Sequence, residues 1–201
     1  MLTKKSIEKN HFKSVVIGGS AGGIDAIQTI LKSLPPNFPL SLSIVQHRHP
    51  THKSNLANLW QNHCALPVKE ADEKEKLIPG HVYVAPANYH LLIDEDFRFA
   101  LTNDERVHHS RPSIDILFET AAVAFGKHLI GVILTGANAD GSQGLRRIQE
   151  RGGGTIVQDP STAEVPIMPR SALASSEVDW VVPLEEIGPL LANIGKNKIH
   201  S

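Results

Sequence analysis

The chain has 201 residues, of which 41% are hydrophobic, and its 20 basic and 21 acidic side chains give a formal net charge of −1. This balance supplies no electrostatic reason to bind nucleic acid or an anionic membrane surface. The one cysteine, Cys64, excludes an intrachain disulfide and a zinc site built on several cysteines. No apolar run reaches the ~20 residues of a membrane span, so we expect a cytoplasmic protein without direct membrane insertion.

Short apolar runs that end at turn signals predict the strands. In chain order the predicted strands span 14–17, 40–45, 67–71, 81–85, 91–101, 129–134, 155–158 and 178–182. The link at 86–88 is too short for a helix and predicts a β-hairpin between the runs on either side of it.

Apolar residues spaced three and four apart predict helices between most of these strands. The first helix follows the glycine-rich segment 18–23, the next three begin at Ser54, Ser113 and Asp140, and the last spans 184–194.

The alternation of strands and helices predicts an α/β fold. We expect a doubly wound, mostly parallel sheet with helices on both faces and a β-hairpin insertion, a three-layer, Rossmann-like architecture. One domain at 14–194 would lie between a polar N-terminal segment at 1–13 and a polar tail at 195–201. Functional residues of such a sheet lie where its strands end, at their carboxyl edge.

A glycine-rich segment follows the first predicted strand. It reads Gly18-Gly19-Ser20-Ala21-Gly22-Gly23 and matches G-x-S-x-G, a strand-to-helix turn that exposes a serine hydroxyl. The alternative interpretation is a phosphate-binding loop in which Ser20 caps the helix, although the two common phosphate-loop spacings are absent. The segment by itself leaves both interpretations open.

A histidine and an aspartate follow two other predicted strands. Ends of adjacent strands lie about 5 Å apart, so His47 would reach Ser20 if the first two strands are neighbours. Asp140 either caps the helix that it begins or binds the second ring nitrogen of His47, and we treat these roles as alternatives. Taken together, the three residues favour a serine nucleophile with a histidine base and an orienting carboxylate.

A metal site is a competing interpretation of the histidines near the second strand. His47, His49 and His52 have a spacing that binds zinc, but the adjacent Arg48 and Lys53 would repel a cation. We therefore predict no metal and no organic cofactor.

Seven short motifs, in order and at characteristic spacing, resemble the catalytic domain of the chemotaxis protein-glutamate methylesterase family, CheB. The motifs are 15–23, Gln46-His47, 79–86, 90–92, 111–115, Leu134-Thr135-Gly136 with Asp140-Gly141, and 168–170. The resemblance extends over about 14–183, nearly the whole chain.

The resemblance implies a catalytic triad and an esterase activity. Ser20 would be the nucleophile, His47 its base and Asp140 the residue that orients the histidine. The backbone N–H groups of Ala21 and Ala137 would hold the oxyanion. The implied reaction removes methyl esters from glutamate side chains, and hydrolysis of glutamine side-chain amides is a related activity.

The resemblance also implies partners. The substrate would be a methylated chemoreceptor or a similar helical cytoplasmic domain of a membrane receptor, and Arg111 is a candidate contact with its acidic helices. The alternative role of Arg111 is a surface arginine at a helix start. The family's usual N-terminal receiver domain has no counterpart in the sequence, so a separate receiver or regulatory protein could act in its place.

Three positions depart from the family pattern. Ala21 stands where the family usually has threonine, Ala137 where it has methionine, and Pro166-Ile167 where it has an aromatic residue and a glycine. These departures motivate an alternative function, a catalytically impaired binding or signalling module with the same fold.

Overall fold

A computed structural model describes residues 11–47, 55–107 and 109–196. The strands within these ranges are β1 (Ser14–Gly19), β2 (Ser41–Gln46), β3 (Val68–Glu70), β4 (Val82–Val84), β5 (His90–Ile93), β6 (Phe99–Thr102), β7 (Leu129–Ile133), β8 (Gly154–Gln158) and β9 (Trp180–Val182). The α-helices are α1 (Gly23–Lys32), α2 (Leu56–Gln61), α3 (Ile114–Phe125), α4 (Ser142–Glu150), α5 (Ile167–Ser175) and α6 (Leu184–Lys196). A 3₁₀ turn, Gly126–His128, follows α3.

Seven strands form one parallel sheet in the order β3-β4-β2-β1-β7-β8-β9. The chain builds the sheet outward from β1, first toward β2 and later, through β7, toward the other edge. The direction of winding therefore reverses between β1 and β7. Such a reversal opens a crevice at the carboxyl ends of the strands, where doubly wound sheets bind ligands.

Helices cover both faces of the sheet, and the sheet separates two hydrophobic cores. Helices α1, α2 and α6 supply buried residues to one core, and α3, α4 and α5 supply the other. Strand β1 serves both, because Val15 and Ile17 face the first core and Val16 faces the second. Burial on both faces explains why the central strands read as continuous apolar runs, and the predicted fold class is confirmed.

The β-hairpin lies at a different place from the predicted one. Strand β4 joins the main sheet beside β2 and β3, and the hairpin is formed by β5 and β6, the two halves of the run predicted as one strand at 91–101. The carboxylate of Asp94 accepts hydrogen bonds from the N–H groups of Asp96 and Arg98, which closes a tight turn inside that run. The predicted hairpin at 86–88 is therefore wrong.

Several helix boundaries also differ from the predictions. Helix α4 begins at Ser142, after Gly141 at a φ of 94°, so Asp140 precedes the helix and does not cap it. Helix α5 was not predicted, because its segment contains a proline, Pro169. That proline lies in the first turn, where a helix tolerates it. Helix α6 continues to Lys196, inside the predicted tail.

The chain ends also bear on the predicted domain limits. Phe12 is buried in the first core, although the segment 1–13 was predicted to be polar.

The predicted helix cap Ser54 lies outside the described residues, and Asn55 caps α2 by accepting the N–H of Asn58. Of the helices in the described ranges, none combines the length and apolar character needed to cross a membrane.

Candidate active site

The predicted nucleophile and base lie side by side at the crevice. Gly19 of β1 is the register partner of Gln46 of β2, so Ser20 and His47 leave the sheet from neighbouring positions. The N–H of His47 donates to the carbonyl of Gly19 at 3.0 Å, and the N–H of Ser20 donates to that of Thr135, after β7, at 3.0 Å. The ends of β1, β2 and β7 are thereby tied together around the serine.

The glycines of the serine turn serve mainly to leave room for neighbouring groups. Only Gly22 needs a left-handed backbone, at a φ of 75°. A Cβ at Gly18 would lie 2.4 Å from Ile114 Cγ2, and one at Gly23 would lie 2.1 Å from Gln46 Oε1. Across the crevice, a Cβ at Gly136 would lie 2.9 Å from that of Ser20.

Ser20 does not act as the cap of the helix that follows it. The N-cap residue of α1 is Gly22, and no side chain caps the helix. Among the described residues the Ser20 hydroxyl has no hydrogen-bond partner, and the residue is partly exposed. The interpretation of Ser20 as a structural cap is therefore wrong, and its hydroxyl is accessible from the crevice.

Asp140 binds His47, which is one of its two predicted roles, and the other predicted role, a cap of the helix that follows it, is wrong. Its Oδ2 lies 2.7 Å from His47 Nε2 and accepts the N–H of Ile114 at 2.8 Å. Its Oδ1 accepts the hydroxyl of Ser113 at 2.9 Å and the N–H of Asp115 at 3.0 Å. The aspartate thus caps the first turn of α3, a helix distant in sequence, while it binds the histidine. Ser113, the predicted cap of α3, donates to Asp140 and makes no cap hydrogen bond of its own.

These partners keep a fully buried carboxylate ionised. Burial by itself raises the pKa of Asp140, but the hydrogen bond and charge of His47, together with the N–H groups of Ile114 and Asp115, outweigh it. The net effect holds the pKa of Asp140 below its ordinary value. The amino end of α3 adds a favourable dipole at the same place.

The bond to Asp140 determines which nitrogen of His47 is left to act as a base. Because Nε2 is engaged, Nδ1 is the nitrogen left to accept a proton. The hydroxyl of Ser110 lies 3.4 Å from Nδ1. Sequence reasoning missed Ser110, since it precedes α3 in a loop and lies beside His47 only in the tertiary fold.

A buried histidine binds the start of α3, next to the N–H groups that hold Asp140. His90 is fully buried, its Nδ1 accepts the N–H of Ser113 at 3.1 Å, and its Nε2 donates to the carbonyl of Glu105 at 3.0 Å. It therefore connects the loop that carries Ser110 with the first turn of α3. The sequence analysis gave His90 no role, and its membership of a family-like motif was the available signal.

Two backbone N–H groups near Ser20 make no hydrogen bond in the described part of the chain. They belong to Ala21 and Ala137, and both residues are exposed. The N–H of Gly136, the residue before Ala137, donates to the carbonyl of Val165. The sequence-predicted donors are thus the ones that remain available.

Arg111 contacts the protein's own backbone. One terminal nitrogen of its guanidinium donates to the carbonyls of Asn103 at 2.6 Å and Asp104 at 2.9 Å. Its Nε is buried without a partner among the described residues. These contacts support its structural role at the start of α3, and a contact with a receptor stays a prediction.

The metal alternative depends on His49 and His52, which lie outside the described residues.

Comparison with known proteins identifies related sequences over most of the chain. The family model described as CheB methylesterase matches residues 15–191. A Leptospira interrogans protein named "Putative protein-glutamate methylesterase/protein-glutamine glutaminase" is 49% identical over 190 residues, which cover 94% of this chain and 98% of the relative. A Burkholderia lata protein named "Protein-glutamate methylesterase/protein-glutamine glutaminase 3" is 40% identical over 87% of this chain but only 49% of its own length.

A solved structure shares the fold. The crystal structure of the Thermotoga maritima CheB methylesterase catalytic domain superposes with a TM-score of 0.87 and 34% sequence identity. The match covers 91% of this chain and 98% of the Thermotoga chain. The likeness therefore extends over most of this chain and nearly all of the Thermotoga chain.

Proposed function

The chain belongs to the CheB methylesterase family, and from this membership and the crevice geometry we propose that it is a protein-glutamate methylesterase. Its substrates are glutamate side-chain methyl esters of chemoreceptor-type proteins. The observation that carries the proposal is the 2.7 Å hydrogen bond between His47 and the buried carboxylate of Asp140, beside an accessible Ser20. We propose that these three residues form the catalytic triad.

The first half of the proposed reaction acylates Ser20. Nδ1 of His47 takes the hydroxyl proton as the Ser20 oxygen attacks the ester carbonyl. Asp140 holds the ring by Nε2 and stabilises the imidazolium that forms. His47 then returns the proton to the departing methoxide, and methanol leaves.

Backbone donors stabilise the charge that develops on the carbonyl oxygen. The available N–H groups of Ala21 and Ala137 support their assignment to an oxyanion hole. One such donor typically lowers the barrier by about 3–4 kcal/mol. Because a backbone N–H does not depend on the side chain, the alanines at these two positions retain the donors.

The second half of the reaction releases the glutamate. A water molecule gives a proton to His47 and attacks the ester carbonyl on Ser20. His47 then returns the proton to the departing Ser20 oxygen, which regenerates the serine and frees the glutamate carboxyl group. Each step uses side chains, backbone and water. Both named relatives are also called protein-glutamine glutaminases, and the same acyl intermediate would arise from a glutamine amide with loss of ammonia.

The partners and setting follow from the proposed substrate. We propose that the enzyme works in the cytoplasm on a methylated helical receptor domain and that a separate receiver or regulatory protein controls it. Arg111 is retained as a proposed receptor contact. The alternative of a non-catalytic binding module has no support from the relatives, whose names are those of enzymes.

Methanol release from a methylated receptor domain tests the proposal. Wild type is expected to release methanol, and Ser20→Ala is expected to reduce the rate to background. Ser33→Ala is the matched control, because that hydroxyl lies at the end of α1, where it donates to the carbonyl of Ile30. Equal rates in wild type and Ser20→Ala would reject the esterase and favour the binding module.

A further inference from the structure

The side chain of Gln46 connects the residues proposed as nucleophile and base. Gln46 ends β2 and is only 3% exposed. Its single amide nitrogen, Nε2, donates to the carbonyl of Ser20 at 2.7 Å and to the carbonyl of His47 at 2.8 Å. Each of the two amide hydrogens is thus used on one of the two residues whose side chains would react.

The surrounding chain is shaped to accommodate this amide. A Cβ at Gly23 would lie 2.1 Å from Gln46 Oε1, and a Cβ at Gly19 would lie 3.1 Å from it. Glycine at both positions therefore leaves the space that the amide occupies. The turn and the glutamine form one packed unit.

The amide is retained at a cost to the folded state. Oε1 is buried and has no hydrogen-bond partner among the described residues. An unpaired buried acceptor destabilises a fold, and a leucine of similar volume would not carry one, but it would leave the carbonyls of Ser20 and His47 without these donors. The two N–H donors are consequently the feature of Gln46 that an apolar side chain could not supply.

We propose that Gln46 is a positioning residue, which fixes the Ser20 turn relative to His47. This inference rests on the proposed function. The main-chain carbonyls of both residues are held by one rigid amide, so the amide limits how far the hydroxyl and the imidazole move apart. Errors of about 1 Å in such positions cost roughly 100-fold in rate.

Substitution of Gln46 tests the proposal on the full chain. Gln46→Leu removes both donors, and Gln46→Glu also sets a carboxylate against two carbonyl oxygens. We expect labelling of Ser20 by a fluorophosphonate probe to slow roughly 10- to 100-fold in both variants. In methanol release kcat should fall while KM stays within about twofold, because the amide holds the reacting groups and not the substrate.

Gln61 provides the matched control. Its amide also bridges two carbonyls, those of Cys64 and Leu66, at 3.3 and 3.2 Å, but beside the edge strand β3. Gln61→Leu and Gln61→Glu should label at the wild-type rate. If the Gln46 variants slow no more than Gln61 variants of equal thermal stability, the proposal is overturned.

A second variant moves the amide without removing it. The Cβ of Gly23→Ala displaces the Gln46 amide, whereas alanine favours the helix that begins there. We expect slower labelling, and an unchanged labelling rate contradicts the proposal. In wild type, the Gln46 side-chain amide hydrogens should exchange far more slowly than those of exposed Gln143, and equal exchange rates would also overturn it.

The probe separates failure of this inference from failure of the proposed function. If wild type is labelled no faster than Ser20→Ala, Ser20 is not an activated nucleophile and the proposed function fails. If wild type is labelled and the Gln46 variants match it, only the role of Gln46 is lost.

Discussion

At the scale of single residues, Asp140 links folding and chemistry. Its two oxygens accept four hydrogen bonds, three from the start of α3 and one from His47. The sequence placed this aspartate after a buried strand and so indicated the histidine contact. It could not indicate which helix the carboxylate caps, because the start of α3 lies 25 to 27 residues upstream and meets Asp140 only through the tertiary fold.

Replacing Asp140 with asparagine is expected to abolish most of the activity. An asparagine is neutral and cannot stabilise the imidazolium, so we expect kcat/KM for methanol release to fall roughly 10³- to 10⁴-fold. Asp72→Asn, at a side chain that is 76% exposed, is the control and should stay near wild type. If kcat/KM of Asp140→Asn is reduced by less than tenfold, Asp140 is not a member of the triad.

The same residue predicts a pH-dependent contribution to stability. The pKa of Asp140 is lowered in the folded protein, so its stabilisation is present above the unfolded value of about 3.9 and is lost as the pH falls through the folded-state pKa. Urea unfolding should show Asp140→Asn about 1–3 kcal/mol less stable than wild type at pH 7. The difference should shrink at pH 3, and a constant difference would contradict the lowered pKa.

Ser110 offers a test of which serine attacks. Its contact with His47 Nδ1 is long, at 3.4 Å, so Ser110→Ala should reduce kcat/KM by no more than about fivefold, equivalent to about 1 kcal/mol. Ser110→Thr keeps the hydroxyl and should recover the rate in the methanol assay. A loss of 100-fold or more in Ser110→Ala would identify Ser110 as the attacking hydroxyl.

At the scale of elements, the sequence predicted best where burial alone determines the pattern. The central strands β1, β2 and β7 are buried on both faces, and their apolar runs marked them to within two residues. The hairpin was misplaced because its turn, 94–98, contains no glycine or proline, and the Asp94 carboxylate closes it together with backbone hydrogen bonds. Such side-chain turns are weak signals beside proline and glycine.

The hairpin turn can be tested by substitution of its aspartates. Asp94→Ala leaves two N–H groups without their acceptor, so we expect the free energy of unfolding to fall by about 1 kcal/mol. Asp96→Ala, at an exposed position of the same turn, should change it by less than about 0.5 kcal/mol. Equal effects in thermal or urea unfolding would show that Asp94 does not close the turn.

At the scale of the whole molecule, winding direction determines where the site lies. Strand alternation was sufficient to predict that Ser20, His47 and Asp140 follow strands at one edge of the sheet. The strand order then makes β2 and β7 the two neighbours of β1, at the point where the winding reverses. The sequence did not predict the roles of Ser110, His90 and Gln46. Each role depends on the path of a loop or the direction of a side chain, which hydrophobic periodicity does not encode.

Methanol release by single and combined variants tests most directly whether Ser20, His47 and Asp140 act as one catalytic unit. Groups that act as a unit are strongly non-additive. We predict that Ser20→Ala, His47→Ala and the double variant all reduce kcat to a similar residual rate, roughly 10³-fold or more below wild type. Losses that multiply in the double variant, or a Ser20→Ala enzyme that retains its activity, would contradict the proposed catalytic unit.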